Sequence, residues 1–252
     1  MLSLYEIGLI GFLAQIIDGN LGMGYGVTSS TILISLGIPP QIASASVHTS
    51  ELATTLVSGA SHFKFGNIRK DLLWPLISFG IIGGVLGACV LIKLPPIPIK
   101  LVVGLILLSM GGIIFYRFMF GYRKEDYSKI KKYPVNRLRV LGFFAAFIDA
   151  MGGGGWGPIC TPTLVVTGTE PNKAVGSVNL AEFFITIAIT STFLVLIGWK
   201  NFKWDIIFAL LIGGVIAAPL AAFICKKLPK RLLGVLVGIL VIILSLRVIL
   251  RK

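Results

Sequence analysis

The sequence is poor in charged residues, and this scarcity defines its class. Only 13% of the 252 residues are charged, and no more than 10 are Asp or Glu. An average soluble domain has about 25% charged residues. Hydrophobic residues reach 56%, and the mean hydropathy is +0.93. This composition excludes an ordinary soluble enzyme, a disordered chain and a nucleic-acid-binding domain, and it predicts an all-α polytopic integral membrane protein.

Cysteines and catalytic motifs are also scarce. The 3 cysteines show no CxxC spacing, so neither a disulfide framework nor a metal site is indicated, and no cofactor is expected. The chain has no HExxH motif, no GxSxG motif and no Asp pair with catalytic spacing, so we predict that it is not an enzyme. Residues 1–11 lack a basic n-region and a clear cleavage site, and a removable signal peptide is therefore not expected.

The apolar pattern occurs twice along the chain, which indicates an internal duplication. A shift of 131 residues superimposes rare residue types of the two halves: Asp18 on Asp149, Tyr25 on Trp156 and Glu51 on Glu182. Unrelated apolar helices would share Leu and Val, but they would not share Asp and Glu at fixed spacing. We therefore divide the chain into a first repeat (1–121), a basic linker (122–139) and a second repeat (140–252).

The net charge of +13 reflects where Lys and Arg lie along the chain. They cluster between apolar runs, which is typical of cytoplasmic loops and not of a nucleic-acid-binding surface. If the linker is cytoplasmic and the two halves are inverted, 16 of the 23 Lys and Arg residues fall on the cytoplasmic side. This asymmetry favours inverted repeats over parallel ones.

Each half carries a glycine-rich segment that disfavours a regular helix. Each Gly costs a helix about 0.8–1 kcal/mol relative to Ala, so we predict unwound backbone at both places. Unwound backbone at membrane depth occurs only inside protein or beside an aqueous cavity, and its free N–H groups suit an anion. The alternative is that the glycines only allow close helix packing. The predicted substrate-binding residues are Gly22, Gly24, Tyr25 and Gly26 in the first segment and Gly153, Gly154, Gly155 and Trp156 in the second.

One glutamate in each half, Glu51 and Glu182, lies within an apolar stretch. A carboxylate inside the membrane is costly and marks a functional position by default. Each could gate transport or couple it to protons, or it could be structural and cap a helix N-terminus of the other repeat. Asp18 and Asp149, which precede the glycine runs, are further gating or coupling candidates. Their alternative role is that of an N-cap or turn residue.

Neutral hydrogen-bonding side chains complete the predicted site. His48 lies three residues before Glu51, so the two share a helix face. His48 could carry a proton or serve as a neutral hydrogen-bonding group. Its counterpart in the second half is Asn179, and Ser46 and Ser177 also occupy equivalent positions. We predict that these four residues bind the substrate, because neither glycine-rich segment contains Lys or Arg.

On these motifs the sequence resembles the sulfite exporter TauE/SafE family of membrane permeases over nearly its whole length. The most specific segments are Asp149–Pro158 and Ala174–Asn179, with Asp18–Gly26 and Ala43–Glu51 as first-half counterparts. The resemblance implies an inner-membrane permease for small sulfur-containing anions such as sulfite, sulfoacetate or other organosulfonates. The first glycine run is diluted by bulkier residues, so the two halves could contribute unequally to the site.

Together these features predict an α-helical permease of two inverted repeats, each with a glycine-broken segment and a hairpin-like helix pair. The broken segments would meet near the bilayer centre around a small anionic substrate, with proton coupling as one option. The protein would lie in the cell inner (plasma) membrane, with linker 122–139 in the cytoplasm. The alternatives are an uncoupled anion channel or facilitator and, from a different class, an intramembrane assembly or interaction protein. Stripes of small residues would also support a homodimer.

Overall fold

The computed structural model describes residues 3–21, 23–120, 133–224 and 230–250, and it confirms the predicted all-α class. Within those ranges the chain forms ten α-helices and one 3-10 helix (Trp199–Asn201), with no β-strand. The α-helices are α1 (Leu4–Leu21), α2 (Tyr25–Ser35), α3 (Pro40–Lys64), α4 (Lys70–Lys93), α5 (Pro96–Phe120), α6 (Val135–Gly152), α7 (Trp156–Val166), α8 (Pro171–Ile197), α9 (Trp204–Ile224) and α10 (Lys230–Leu250).

The short helices α2 and α7 end in turns of the same construction. Gly37 and Gly168 follow them with φ angles of 99° and 100°, a left-handed conformation that only glycine adopts readily. Pro40 and Pro171 then begin α3 and α8, where the missing proline N–H would have no helical partner in any case. The two halves of the chain thus use one turn design twice.

Helix α6 begins at Val135, inside the segment that the sequence assigns to the linker. Residues 121–132, which form most of the predicted linker, lie outside the described residues. Tyr133 anchors the chain just before α6, since its hydroxyl donates to the carbonyl oxygens of Thr163 and Leu164 at the end of α7, each at 3.2 Å. Burial raises the pKa of Tyr133 to about 12, although the nearby Arg69 charge opposes this shift, so the hydroxyl stays a neutral donor.

The two halves interlock instead of forming separate domains. Helix α1 packs on α9, and the equivalent α6 packs on α4. Helix α3 contacts α9 and α8 contacts α4, while α3 also packs on α8 and α5 on α10. If the five helices of the first half are exchanged in order with the five of the second, the α1–α9 contact becomes α6–α4 and the α3–α9 contact becomes α8–α4. The α3–α8 and α5–α10 contacts are unchanged by this exchange. The duplication of the sequence therefore reappears as a pseudo-symmetric arrangement of helices.

Matched glycines allow the closest of these helix contacts. A Cβ added at Gly11 on α1 would lie 2.8 Å from the Cα of Leu210 on α9. A Cβ added at Gly142 on α6 would lie 2.7 Å from the carbonyl oxygen of Leu76 on α4. Both approaches are too close for any side chain, so each helix pair depends on its glycine.

The lengths and surfaces of the helices suit a bilayer. Three described segments are long and apolar enough to cross a membrane: Lys70–Lys93, Leu101–Phe120 and Lys173–Ile197. Large apolar side chains such as Trp74 and Val195 are exposed on the outside of the bundle, where lipid would cover them. Helices α2 and α7 have 11 residues each, or roughly 16 Å, about half of the hydrocarbon thickness. Each packs against the long helix that follows it, as in a hairpin.

Candidate functional site

The break between α6 and α7 is organised around Asp149. Its Oδ1 accepts hydrogen bonds from the N–H groups of Gly155 at 2.6 Å and Trp156 at 3.1 Å. Its main-chain oxygen accepts the N–H groups of Gly153 at 2.7 Å and Gly154 at 3.2 Å. One residue near the end of α6 thus satisfies the backbone of the whole break and the first N–H of α7.

In the equivalent break between α1 and α2, the aspartate makes a longer hydrogen bond. Asp18 Oδ1 accepts the N–H of Tyr25, but at 3.4 Å. Gly24 has a φ angle of 126°, which requires glycine, whereas Gly22 lies outside the described residues. The Tyr25 hydroxyl donates to the carbonyl oxygen of Leu210 at 3.2 Å, so the aromatic side chain is anchored in the other half.

The two breaks touch each other in the interior. A Cβ added at Gly26 would lie 2.8 Å from both the Gly153 carbonyl oxygen and the Gly154 Cα. One added at Gly154 would fall on the backbone nitrogen of Val27. In addition, the Ser30 hydroxyl of α2 donates to the Gly153 carbonyl oxygen at 2.5 Å. The glycines are therefore needed for backbone to lie directly against backbone where the halves meet.

A narrow cleft opens beside this contact, with an empty volume of about 400 Å³ including its open mouth. Four acidic residues line it, and no Lys or Arg is among the described residues of its wall. The predicted site residues in the wall are Asp18, Gly24, Tyr25, Gly26, Glu51, Asp149, Gly154, Gly155, Asn179 and Glu182. Ten of the proposed residues, drawn from both halves, thus come together around one space.

The two glutamates face this cleft without hydrogen-bonding partners in the described part of the chain. Glu51 is only 4% exposed, and its Oε1 would lie 3.0 Å from a Cβ added at Gly26. Glu182 is half-buried on α8. A carboxylate in such a place is strongly disfavoured unless a proton or another cation neutralises it. This wall can therefore accept protons far more easily than it can hold several negative charges.

Several predicted site residues lie outside the wall of the cleft. Trp156 donates its indole N–H to the Val178 carbonyl oxygen at 3.1 Å, and Gly153 lies at the contact between the breaks. Ser177 accepts the backbone N–H of Arg69 at 2.9 Å, and Ser46 is buried on α3. His48 is fully buried and pairs with Asp149 behind the wall.

Other wall residues are absent from the sequence-based set. Thr54, Thr55 and Ser58 follow Glu51 by three, four and seven residues, so they share its face of α3. Ser58 accepts a hydrogen bond from the Asn179 amide at 2.8 Å, which joins α3 to α8 at the cleft. Helical spacing from Glu51 is the signal that could have identified them. No group of three or more His, Cys, Asp or Glu side chains suited to a metal ion exists within the described residues.

Two interrupted helices that meet beside a buried acidic cleft, inside an apolar helical bundle, define a multi-pass membrane protein of the transporter class. The chain belongs to the sulfite exporter TauE/SafE family, whose profile matches residues 7–248. It is similar to the probable membrane transporter protein YtnM of Bacillus subtilis (strain 168), with 46% identity over 230 residues, which cover 90% of this chain and 76% of YtnM. No solved structure matches the chain. The protein is thus a membrane transporter and not an enzyme.

Proposed function

We propose that this transporter carries a small sulfur-containing anion, such as sulfite, sulfoacetate or another organosulfonate, through the acidic cleft. The family description supports the substrate class. The first turns of α2 and α7 supply Gly26, Val27 and Gly157 to the cleft wall. The N–H groups of a first helical turn have no partner within their own helix, and the helix dipole there favours an anion.

The negative charge of the cleft wall is the observation that supports a proton-coupled mechanism. Asp18, Glu51, Asp149 and Glu182 line the cleft together with no described Lys or Arg. Two like charges about 5 Å apart repel by about 3 kcal/mol at an effective dielectric constant of about 20, which weakens anion binding roughly a hundredfold. An anion therefore binds when Glu51 and Glu182 are protonated. Its passage is then linked to the movement of protons.

The two aspartates have a gating role in this proposal. Asp18 and Asp149 hold the breaks that form one wall of the cleft, so the shape of the site depends on their hydrogen bonds. The halves are inverted in the inner membrane, with linker 122–139 in the cytoplasm, which is supported by the distribution of Lys and Arg. Rocking of two such halves about a central site would give access from each side in turn.

Uptake into proteoliposomes tests the proposal. Sulfite, sulfoacetate, taurine and thiosulfate are offered with and without an imposed pH gradient. We expect saturable uptake of one of these substrates that responds to the gradient. Glu51→Gln and Glu182→Gln should each make uptake insensitive to the gradient, because an amide cannot release a proton.

The exposed Glu170 provides a matched control, since Glu170→Gln makes the same chemical change outside the cleft. It should leave gradient dependence intact. Uptake that ignores the gradient in the unmodified protein would identify an uncoupled facilitator. Uptake of none of the four compounds would reject the proposed substrate class.

A further inference from the structure

A buried contact between a histidine and an aspartate joins the two halves behind the cleft, and the equivalent positions of the other half, Asp18 and Asn179, hold no histidine. His48 on α3 is 0% exposed, and its Nε2 lies 3.2 Å from Oδ2 of Asp149 on α6. Its Nδ1 lies 2.9 Å from the Ser44 carbonyl oxygen. The position equivalent to His48 is Asn179, whose amide instead donates to Ser58.

The hydrogen-bond inventory around His48 fixes how many protons the pair holds. Nδ1 must donate to the Ser44 carbonyl oxygen, which has no proton of its own. The Ser44 hydroxyl, 3.3 Å from Nδ1, cannot replace it as a donor, because it already donates to the Ala150 carbonyl oxygen at 2.7 Å. A second proton must lie between Nε2 and Asp149 Oδ2, since two lone pairs would otherwise face each other.

The neighbours of Asp149 decide which partner carries this second proton. Asp149 Oδ1 already accepts two backbone N–H groups, from Gly155 and Trp156, and these bonds favour the ionised carboxylate. A proton on Nε2, with His48 as an imidazolium, is the arrangement that satisfies all of these hydrogen bonds. On its other side the ring meets Phe193, with centroids 6.1 Å apart, and this contact offers no competing acceptor.

We propose that His48 is a positioning residue. As an imidazolium it holds the Asp149 carboxylate in place, and through that carboxylate it makes the second glycine break the more rigid of the two breaks at the transport site. Asp149 then accepts three hydrogen bonds through its two oxygens, from Gly155, Trp156 and His48. Asp18, its equivalent, accepts a single long one from Tyr25 within the described residues. Among the described residues, the aspartate of the second break is thus held by more and shorter hydrogen bonds than the aspartate of the first.

The protonation state can be measured directly by nitrogen NMR of isotope-labelled histidine. The chain has 2 histidines, so His62→Gln leaves His48 as the sole signal. We expect both ring nitrogens to carry a proton at neutral pH. Adding Asp149→Asn should return the ring to the neutral form, because the new amide can donate to Nε2. A neutral ring in the His62→Gln protein would overturn the proposal.

A transport measurement tests the positioning role and rests on the proposed function. His48→Leu should raise the KM of the transported anion at least about tenfold, since a charge-assisted hydrogen bond that holds the site is lost. Adding Asp149→Asn to His48→Leu should recover part of this loss, because it removes the unpaired buried charge. His62→Gln is the control for histidine loss and should leave KM unchanged.

The two measurements fail separately. An unchanged KM in His48→Leu would refute the positioning role even if the ring is an imidazolium. If the unmodified protein moves none of the tested compounds, the proposed function fails while the NMR result still decides the charge of His48. A folded His48→Leu protein with lower Vmax but unchanged KM would also contradict the proposal, because it would assign the pair to movement and not to the shape of the site.

Discussion

The contact between the two breaks makes Gly154→Ala a decisive substitution. A Cβ added at Gly154 would fall on the backbone nitrogen of Val27 and lie 2.7 Å from its Cα. Carbon atoms normally approach to about 3.5–4.0 Å, so the breaks would have to separate by roughly 1 Å. Both clashing atoms belong to the backbone, and no side-chain rotation can make room for the methyl group.

The expected magnitude follows from this displacement. Inserting a methyl group into a close-packed interior costs about 1–3 kcal/mol, and 1 kcal/mol corresponds to roughly 2–4 °C in Tm for a chain of this size. We expect Gly154→Ala to lower Tm by about 4–8 °C at the middle of that range. Uptake should fall further, by roughly a hundredfold, because a shift of about 1 Å is enough to misalign groups that act together.

Thermal unfolding of the purified protein in detergent and uptake into proteoliposomes measure the two effects. Gly112→Ala is the matched control, because a Cβ on this α5 glycine meets nothing within 4 Å. Alanine at that position should leave uptake unchanged and raise helix stability slightly. If Gly154→Ala behaves like Gly112→Ala in both assays, the two breaks are not in contact and the site described above is wrong.

Two further predictions concern the stability of the bundle and are read from Tm in detergent. Gly142→Ala should destabilise the fold by about 1–3 kcal/mol and lower Tm accordingly, because its Cβ would lie 2.7 Å from the Leu76 carbonyl oxygen. An unchanged Tm would contradict the close contact of α6 and α4. Thr186→Val should leave Tm unchanged or raise it, because the buried Thr186 hydroxyl has no hydrogen-bond partner among the described residues. The equivalent Thr55→Val should lower stability by about 1 kcal/mol, because it loses the 2.6 Å hydrogen bond to the Glu51 carbonyl oxygen. The reverse order of these two threonine variants would refute that reasoning.

The sequence predicts the interrupted helices well because their cause is local. Glycine-rich segments disfavour a helix wherever they occur, and the structure ends α1 and α6 at both of them. The acidic residues of the cleft could also be identified from the sequence, because a carboxylate within an apolar stretch is costly in a membrane and marks a functional position by default. These features depend on residue type and duplication, and neither requires knowledge of the tertiary fold.

The pairing of side chains across the halves could not be predicted in this way. Duplication predicts that Ser46 and Ser177 behave alike, but Ser177 accepts the Arg69 N–H at the end of the α3–α4 connection. Helical spacing predicts that His48 lies beside Glu51, yet its ring reaches Asp149, which lies 101 positions away along the chain. The direction of a side chain in a helix depends on its rotamer and on the neighbouring element. The sequence offset between the two repeats gives no information about either.

The inequality of the two breaks bears on how such a transporter moves. Two identical halves would open and close with equal ease, and nothing would select which one deforms. Here Asp149 is fixed by His48 and two backbone N–H groups, whereas Asp18 has one bond of 3.4 Å in the described part of its surroundings. Local opening follows the weaker hydrogen bonds. The first break is therefore expected to deform during transport, while the second keeps the shape that the substrate recognises.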